Sequence, residues 1–294
     1  MKSKNNKRSM YKSMIISYCV LLITPLIFIS VLQNEVQKST KNNAYEYNSI
    51  LLETTMDSYH KELSLLALQF NANPKIQGIT QNKNVSSLDI ASLSELMDDL
   101  RECKKNLSFI SDIFLYIDSC DTIITPNNYV TSKQYFYNGY YQFEEFDYNT
   151  WRNTVLTGIH YNKYLPPTYL SSESSQKEIM LYVQSLPVSE SEYANAQLIV
   201  EIDFNNIITM LNKICNLNDG NIIICDRNDD VFIDVNRKTT YNYESLKSLK
   251  DDRDFIYLKE QKEYLMRSTT NDLQWTYYLL IPENTYLSKS SYFR

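Results

Sequence analysis

Nineteen consecutive residues, Met14 to Leu32 (MIISYCVLLITPLIFISVL), carry no charged side chain. Wound as one helix they extend roughly 28 Å, about the hydrocarbon thickness of a bilayer. Pro25 is no obstacle, because membrane helices tolerate proline. Lys2, Lys4, Lys7, Arg8 and Lys12 precede the run and no acid does. The positive-inside rule therefore expects residues 1–13 in the cytoplasm and everything beyond Leu32 outside. A cleaved signal peptide would want an apolar core of about 7–15 residues and a small-x-small cleavage site. FISVLQNEVQ offers a poor site and the run is too long, so the expectation is an uncleaved, single-pass transmembrane helix over 14–32.

The chain beyond Leu32 holds 24 bases against 35 acids, a net charge of −11. So acidic a chain, with no basic patch, is a poor nucleic-acid binder. Only four glycines occur in 294 residues, and there is no GxxxxGK or GxGxxG, so phosphate-cradling loops are excluded. The 25 tyrosines sit among abundant Asn, Lys and Ile, which points to codon bias as much as to selection. Cys19 falls in the apolar run. Cys103, Cys120, Cys215 and Cys225 have no CxxC spacing; disulfides are open to them outside the cytoplasm, but the spacing suggests no framework, and isolated buried thiols are expected.

After the anchor, residues 33–74 read as one long helix. Leu52, Met56, Tyr59, Leu63, Leu66 and Phe70 follow a 4-3-4-3-4 spacing, an apolar seam of heptad type. Such a seam either pairs with a second chain, making a homodimer, or lies along the body of its own domain. The rod, roughly 58 Å long, is enough to span two small stacked domains. A second helix places Leu93, Leu96, Leu100, Cys103 and Leu107 on one face, with Ser86 or Ser87 as its cap. FISDIFLYIDSCDTIITPN then reads as strand, polar turn and short strand. DYNTWRNTVLTG is a short helix capped by Asp147, and KEIMLYVQSLPV and AQLIVEIDF are two further strands. The order recurs: NNIITMLNKICNL is a helix, GNIIICDRNDDVFIDVN a hairpin, and residues 254–282 supply three more strands. This is a repeat of element order with slight sequence identity. It predicts an α+β fold with two antiparallel sheets strung on one helix. The expected modules are 75–204 and 205–294.

The run SDIFLYIDSCDTIITPN…YFYNGYYQFEEFDYNTWRNTVL…YLPPTYL resembles the extracytoplasmic sensor regions of bacterial membrane-bound AraC-type transcription regulators and of related sensor histidine kinases. These are double Cache (tandem PAS-like) domains flanked by two membrane helices. QWTYYLLIPENTYLSK resembles the closing strand of the membrane-proximal module, which leads into the second membrane helix. The resemblance of layout covers the whole chain and implies a sensor for a small extracellular solute. No second membrane helix, helix-turn-helix or kinase module follows. Either the chain is a truncated or degenerate copy, or its output is lost or supplied by another polypeptide. A rival reading is an anchored surface protein acting by protein contact through the long helix.

No enzyme, metal or cofactor site rises above background. There is no GxSxG, SxxK or HExxH. His60 is expected to be solvated on the long helix and His160 to lie in a loop, with no partner at ligand spacing for zinc. DRNDD, at 226–230, lacks the glycine and distal Glu of a calcium loop and reads as a hairpin turn. The two units differ in one connector: about fifty residues (127–176) in the first against fewer than twenty in the second, and a long loop with its own helix can close over a sheet. The ligand pocket is therefore expected in the first, membrane-distal unit. Trp151 is a candidate contact, although Tyr148, Trp151 and Val155 also suit the core face of a helix. Arg152 is open to a bidentate contact with a ligand carboxylate, or to pairing with Glu144 or Glu145. Tyr116 and Tyr182 are expected to reach the same space if strand alternation turns both that way.

Overall fold

The computed structural model describes residues 2–81, 90–171, 176–188, 194–215, 220–236, 246, 255–270 and 272–284. Helix α1 is a single element, Lys2–Ala72, that carries Pro25 within it. Its N-terminal part is apolar, with a mean hydropathy of 2.1 over 18 residues, and none of that stretch is buried against the chain. By length and composition it is apolar enough to cross a membrane. Further along, the same helix changes character. Leu52, Met56, Leu63, Leu66 and Phe70 are all buried, and Tyr59 packs against them. The heptad seam thus lies along the body of its own chain. The opposite stripe leaves Leu65 and Leu68 exposed. Asn73 closes the helix: its Oδ1 accepts from the Lys75 N–H at 3.0 Å, and its amide donates to Asp99 at 2.9 Å.

Helices α2 (Pro74–Gln81) and α3 (Ile90–Asn106) follow. The amphipathic spacing of α3 buries Leu93, Leu96, Leu100 and Cys103 as expected, while its expected cap at Ser86 or Ser87 lies outside the described residues. Two antiparallel sheets then form in turn. The first contains β1 (Ile110–Ile117), β2 (Thr122–Ile124), β3 (Tyr129–Val130), β4 (Gln142–Phe143), β5 (Lys163–Ser171), β6 (Gln176–Leu186) and β7 (Ala196–Asp203). Its order is β3-β2-β1-β7-β6-β5-β4. Helix α6 (Phe204–Cys215) leads into the second sheet, made of β8 (Asn221–Cys225), β9 (Val231–Asp234), β10 (Phe255–Leu258), β11 (Glu263–Thr269) and β12 (Thr276–Pro282). Its order is β10-β11-β12-β8-β9. Matching β1 to β8, β2 to β9 and β5–β7 to β10–β12 superimposes the two orders strand for strand. The repeat of element order is therefore a repeat of topology.

That match depends on β5, which the sequence reading placed in a loop. Pro166 and Pro167 hid it, since proline donates nothing to a ladder and is confined to edges and bulges. The β5–β6 register shifts between Leu165 and Thr168, where one extra residue enters β5. The prolines occupy that bulge, and the strand survives. The long connector also holds more than one short helix. It contains β3, helix α4 (Lys133–Tyr140), β4 and helix α5 (Tyr148–Trp151), followed by a π-turn over Arg152–Leu156. The second unit's connector lies outside the described residues apart from Leu246.

One apolar core joins both sheets to α1. It runs from Phe70 and Leu63 through Met180, Val200 and Ile202 to Leu279 and Ile281, with Ile207 and Leu211 of α6 between. Tyr59 stacks on Phe109 with ring centroids 4.4 Å apart. A second core lies on the far face of the first sheet, beneath the long connector.

Candidate functional site

Strand alternation decides which side chains reach the connector-covered face. On β1 these are Phe114 and Tyr116; on β6, Ile179, Leu181 and Val183; on β7, Ile199. The intervening residues, among them Leu115 and Tyr182, enter the core toward α1. Tyr116 and Tyr182 therefore point to opposite faces, and the expectation that they share one space is corrected. The cause is register: Tyr182 pairs with Val200 and Tyr116 with Gln197, and Gln197 and Val200 stand an odd number of residues apart on β7, so they face opposite sides. Tyr182 instead donates to Asn162 Oδ1 at 2.7 Å, and burial holds its phenol well above its ordinary pKa.

The connector delivers its rings by local capping. Ser132 accepts from the Tyr135 N–H to start α4, and Asp147 accepts from the Thr150 N–H at 2.7 Å to start α5. Phe136, Tyr137, Tyr141, Phe143 and Trp151 then join Phe114 in one buried cluster. Trp151 lies 5.3 Å from Tyr137 and 6.0 Å from Tyr141, ring to ring. It is fully buried, with Val155 beside it and Tyr148 partly buried, as the i, i+3, i+7 spacing predicts. The expected chamber is thus packed with aromatic rings.

Three polar groups sit within that apolar packing. Trp151 Nε1 is buried without a hydrogen-bond partner. The Tyr141 hydroxyl faces Glu201, whose carboxylate raises the phenol's pKa after burial itself. Glu201 is buried on β7, and Ser111 Oγ donates to its Oε2 at 3.1 Å. Lys177 Nζ stands 4.0 Å away. Desolvation, then the nearby Asp112 charge, pushes the Glu201 carboxyl up to about 7. A buried carboxyl, the phenol beside it and the unpaired indole N–H of Trp151 thus lie together within apolar packing. The sequence reading missed Tyr141 and Glu201; the IVEID alternation on β7 was the available signal for Glu201.

Arg152 lies at the edge of this chamber, half-buried. Its guanidinium donates twice to Asn153 Oδ1, at 3.2 and 3.1 Å, and sits 6.0 Å from the Tyr148 ring centroid. Glu145 instead engages Thr168. Tyr116 donates to Asp118 at 2.8 Å and accepts from Lys133 Nζ at 3.0 Å, and Lys133 also pairs with Asp121 at 2.9 Å. The phenol is held well above its ordinary pKa, by burial first and by Asp118 second.

His60 departs from expectation: it is half-buried and hydrogen-bonded, Nδ1 to the Tyr164 hydroxyl at 2.9 Å, because α1 lies against β5. His160 lies in a loop as expected, but it is buried there, and its backbone N–H donates to Ser185 Oγ at 2.7 Å. Burial, then Lys163, lowers its pKa to about 4. The DRNDD segment is the hairpin turn expected. Asp226 Oδ1 accepts from the Asn228 and Asp230 N–H groups at 2.8 and 3.0 Å. Cys103 and Cys120 are free thiols and Cys225 forms no disulfide among the described residues; the Cys215 side chain lies outside the described residues.

No protein-family model matches the sequence, and no curated protein does. The fold nevertheless has solved counterparts. The ligand-binding domain of the Campylobacter jejuni chemoreceptor Tlp3, in complex with L-valine, superposes with a TM-score of 0.51 at 10% identity, covering 88% of this chain and 98% of that one. The extracellular domain of the putative histidine kinase soHK1S-Z6 gives 0.54 at 9% identity, with 88% and 99% covered. That of the putative histidine kinase vpHK1S-Z8 gives 0.52 at 8% identity, with 89% and 96% covered. At such identities the likeness is one of fold. The shared fold is α+β, a long N-terminal helix followed by antiparallel sheets, as in these chemoreceptor and histidine kinase extracellular domains.

Proposed function

We propose that this chain is the extracytoplasmic sensor of a membrane-bound signalling regulator, binding a small solute beneath the connector of its first sheet. In this reading residues 14–32 span the membrane and the N-terminus is cytoplasmic. Residues 33–74 form the stalk, 75–204 the membrane-distal Cache-like module and 205–294 the proximal one. The output served is of the AraC or histidine kinase type. Leu65 and Leu68, exposed on α1, are where a second copy would pair.

The observation that carries the reading is the polar set inside the aromatic chamber. Trp151 Nε1 is buried without a partner, and the Tyr141 hydroxyl and the Glu201 carboxyl face each other in the same packing. Buried donors normally find acceptors, and leaving one unpaired costs about 1–3 kcal/mol. A solute accepting from these groups offsets that cost. Arg152 stands at the rim as a further contact, where rotation away from Asn153 frees its donors. Tyr116 borders the chamber, held in place by Lys133. Tyr182, on the other face, belongs to the support of the sheet.

A thermal-shift screen of small metabolites against the chain tests the reading, since a ligand bound only by the folded state raises its melting temperature by mass action. At least one compound is expected to give a saturable rise. Trp151→Phe, which keeps a ring but deletes the N–H, should then weaken that response. A hit whose affinity is unchanged by both Trp151→Phe and Glu201→Gln places the solute elsewhere.

A further inference from the structure

A cleft of about 840 Å³ lies not under the connector but at the junction of the two sheets. One wall is the segment Ile159–Pro166 that enters β5. The other consists of two hairpin turns of the second sheet, Asp226–Phe232 and Asp272–Trp275, and α1 closes one end with His60. The only two histidines in the chain both line this one cleft, although a hundred residues separate them. An aromatic ladder, three of whose rings (Tyr164, Trp275 and Phe232) line the cleft, runs beneath it. Tyr182 meets Tyr164 at 5.2 Å, Tyr164 meets Trp275 at 5.0 Å, and Trp275 meets Phe232 at 5.0 Å.

The fixed charges here are largely engaged by the protein. Asp226 caps its own turn, and Lys163 Nζ donates to the Thr154 carbonyl at 2.9 Å. Burial lowers the pKa of both imidazoles, so they are neutral near pH 7. Asp230, Asp272 and Arg227 remain as exposed charges of mixed sign. What the walls offer is aromatic surface interleaved with neutral polar groups: the His160 imidazole, whose Nε2 has no hydrogen-bond partner, and the remaining capacity of the Asn162 and Asn228 amides. A strongly charged ligand finds no matching excess of opposite charge. A ligand dense in hydroxyl groups, each both donor and acceptor, finds partners on both walls and a flat apolar floor.

We propose that the junction cleft is a second binding site, which takes a neutral, hydroxyl-rich solute of the saccharide class, of mono- to disaccharide size. Because its walls come from different sheets, occupancy ties the two sheets together. This proposal rests on the cleft alone and not on the connector-covered chamber.

The two tryptophans separate the sites, for Trp151 lies in the chamber and Trp275 in the cleft. The experiment uses the full chain in lipid nanodiscs, since a maltoside detergent would itself compete. In Trp151→Phe the fluorescence of Trp275 is titrated with glucose, maltose, cellobiose and sucrose, with glutamate and putrescine as charged controls. At least one saccharide is expected to change the emission saturably. Asp272→Ala and Arg227→Ala, both on exposed turns, should each weaken that binding roughly tenfold, the loss of one good hydrogen bond. Should Trp151→Phe fold poorly, saturation-transfer NMR on the parent and the two turn variants gives the same comparison. No saturable response to any saccharide, a response to the charged controls only, or affinity indifferent to both turn variants overturns the proposal. Loss of binding in the chamber with saccharide binding intact would sink the reading of the chamber and leave this one standing.

Discussion

Asp112 on β1 and Glu201 on β7 stand directly opposite each other in the register of the first sheet, two acids paired across neighbouring strands with Glu201 only 5% exposed. Burial first, and then repulsion from the like charge of Asp112, favour the protonated form of the buried partner. The carboxyl of Glu201 titrates near 7 rather than 4.5, so the folded state binds more protons than the unfolded one between those values. Stability from this group is therefore full below pH 4.5 and lost as pH rises toward 7. The full loss is about 3 kcal/mol as an upper bound. Glu201→Gln should melt higher than the parent at pH 8 and lose most of that advantage at pH 4.5. Equal melting temperatures at pH 8 would remove the assigned strain.

His160 works in the other direction. Its folded pKa, lowered from 6.5 to about 4, makes it contribute stability that is whole above 6.5 and lost as pH falls toward 4. The two slopes oppose each other between about pH 4.5 and 6.5. The parent should show a shallow pH profile there, and Glu201→Gln should expose a steeper acid-side decline. Adding His160→Asn to that variant should flatten it again. A decline that survives the double change belongs to other groups.

The seam of α1 makes a sharper mechanical prediction. Leu63 is 1% exposed and Leu65, two residues on, is 59% exposed. Leu63→Ala should cost about 2–5 kcal/mol by urea denaturation, and Leu65→Ala no more than about 0.5 kcal/mol. A similar cost at both positions would mean that a second chain covers Leu65. Sedimentation of the parent then tells whether two copies pair on that stripe.

How much of this was legible beforehand varied with the kind of pattern. The heptad seam, the α3 face and the hairpin turn at Asp226 follow from local periodicity and capping, which a single segment contains. The strand β5 was hidden because its prolines break the local rule, and only its neighbour β6 supplies the pairing that overrides it. The face shared by Tyr116 and Trp151 but not by Tyr182 depends on the register between strands about eighty residues apart. Glu201 reads as one acid in an alternating strand until the connector folds over it. His60 looked solvated for the same reason: the group that desolvates it, Tyr164, arrives from a hundred residues away.

Membrane orientation is open to a direct check. A reporter fused after Arg294 that is active only outside the cytoplasm should be active, because the five bases flanking the apolar run all precede it. Activity of a cytoplasmic reporter instead would overturn the proposed topology.

The central claim, a small solute held beneath the connector, is tested most directly by hydrogen exchange on the full chain with and without a saturating thermal-shift hit. Protection is expected to concentrate in residues 132–157, where α4, α5 and the π-turn close over the sheet, and in β7 around Glu201. In Trp151→Phe that protection should fade at the same ligand concentration. A hit that protects only the second sheet, or that leaves 132–157 exchanging as in the free protein, contradicts the claim.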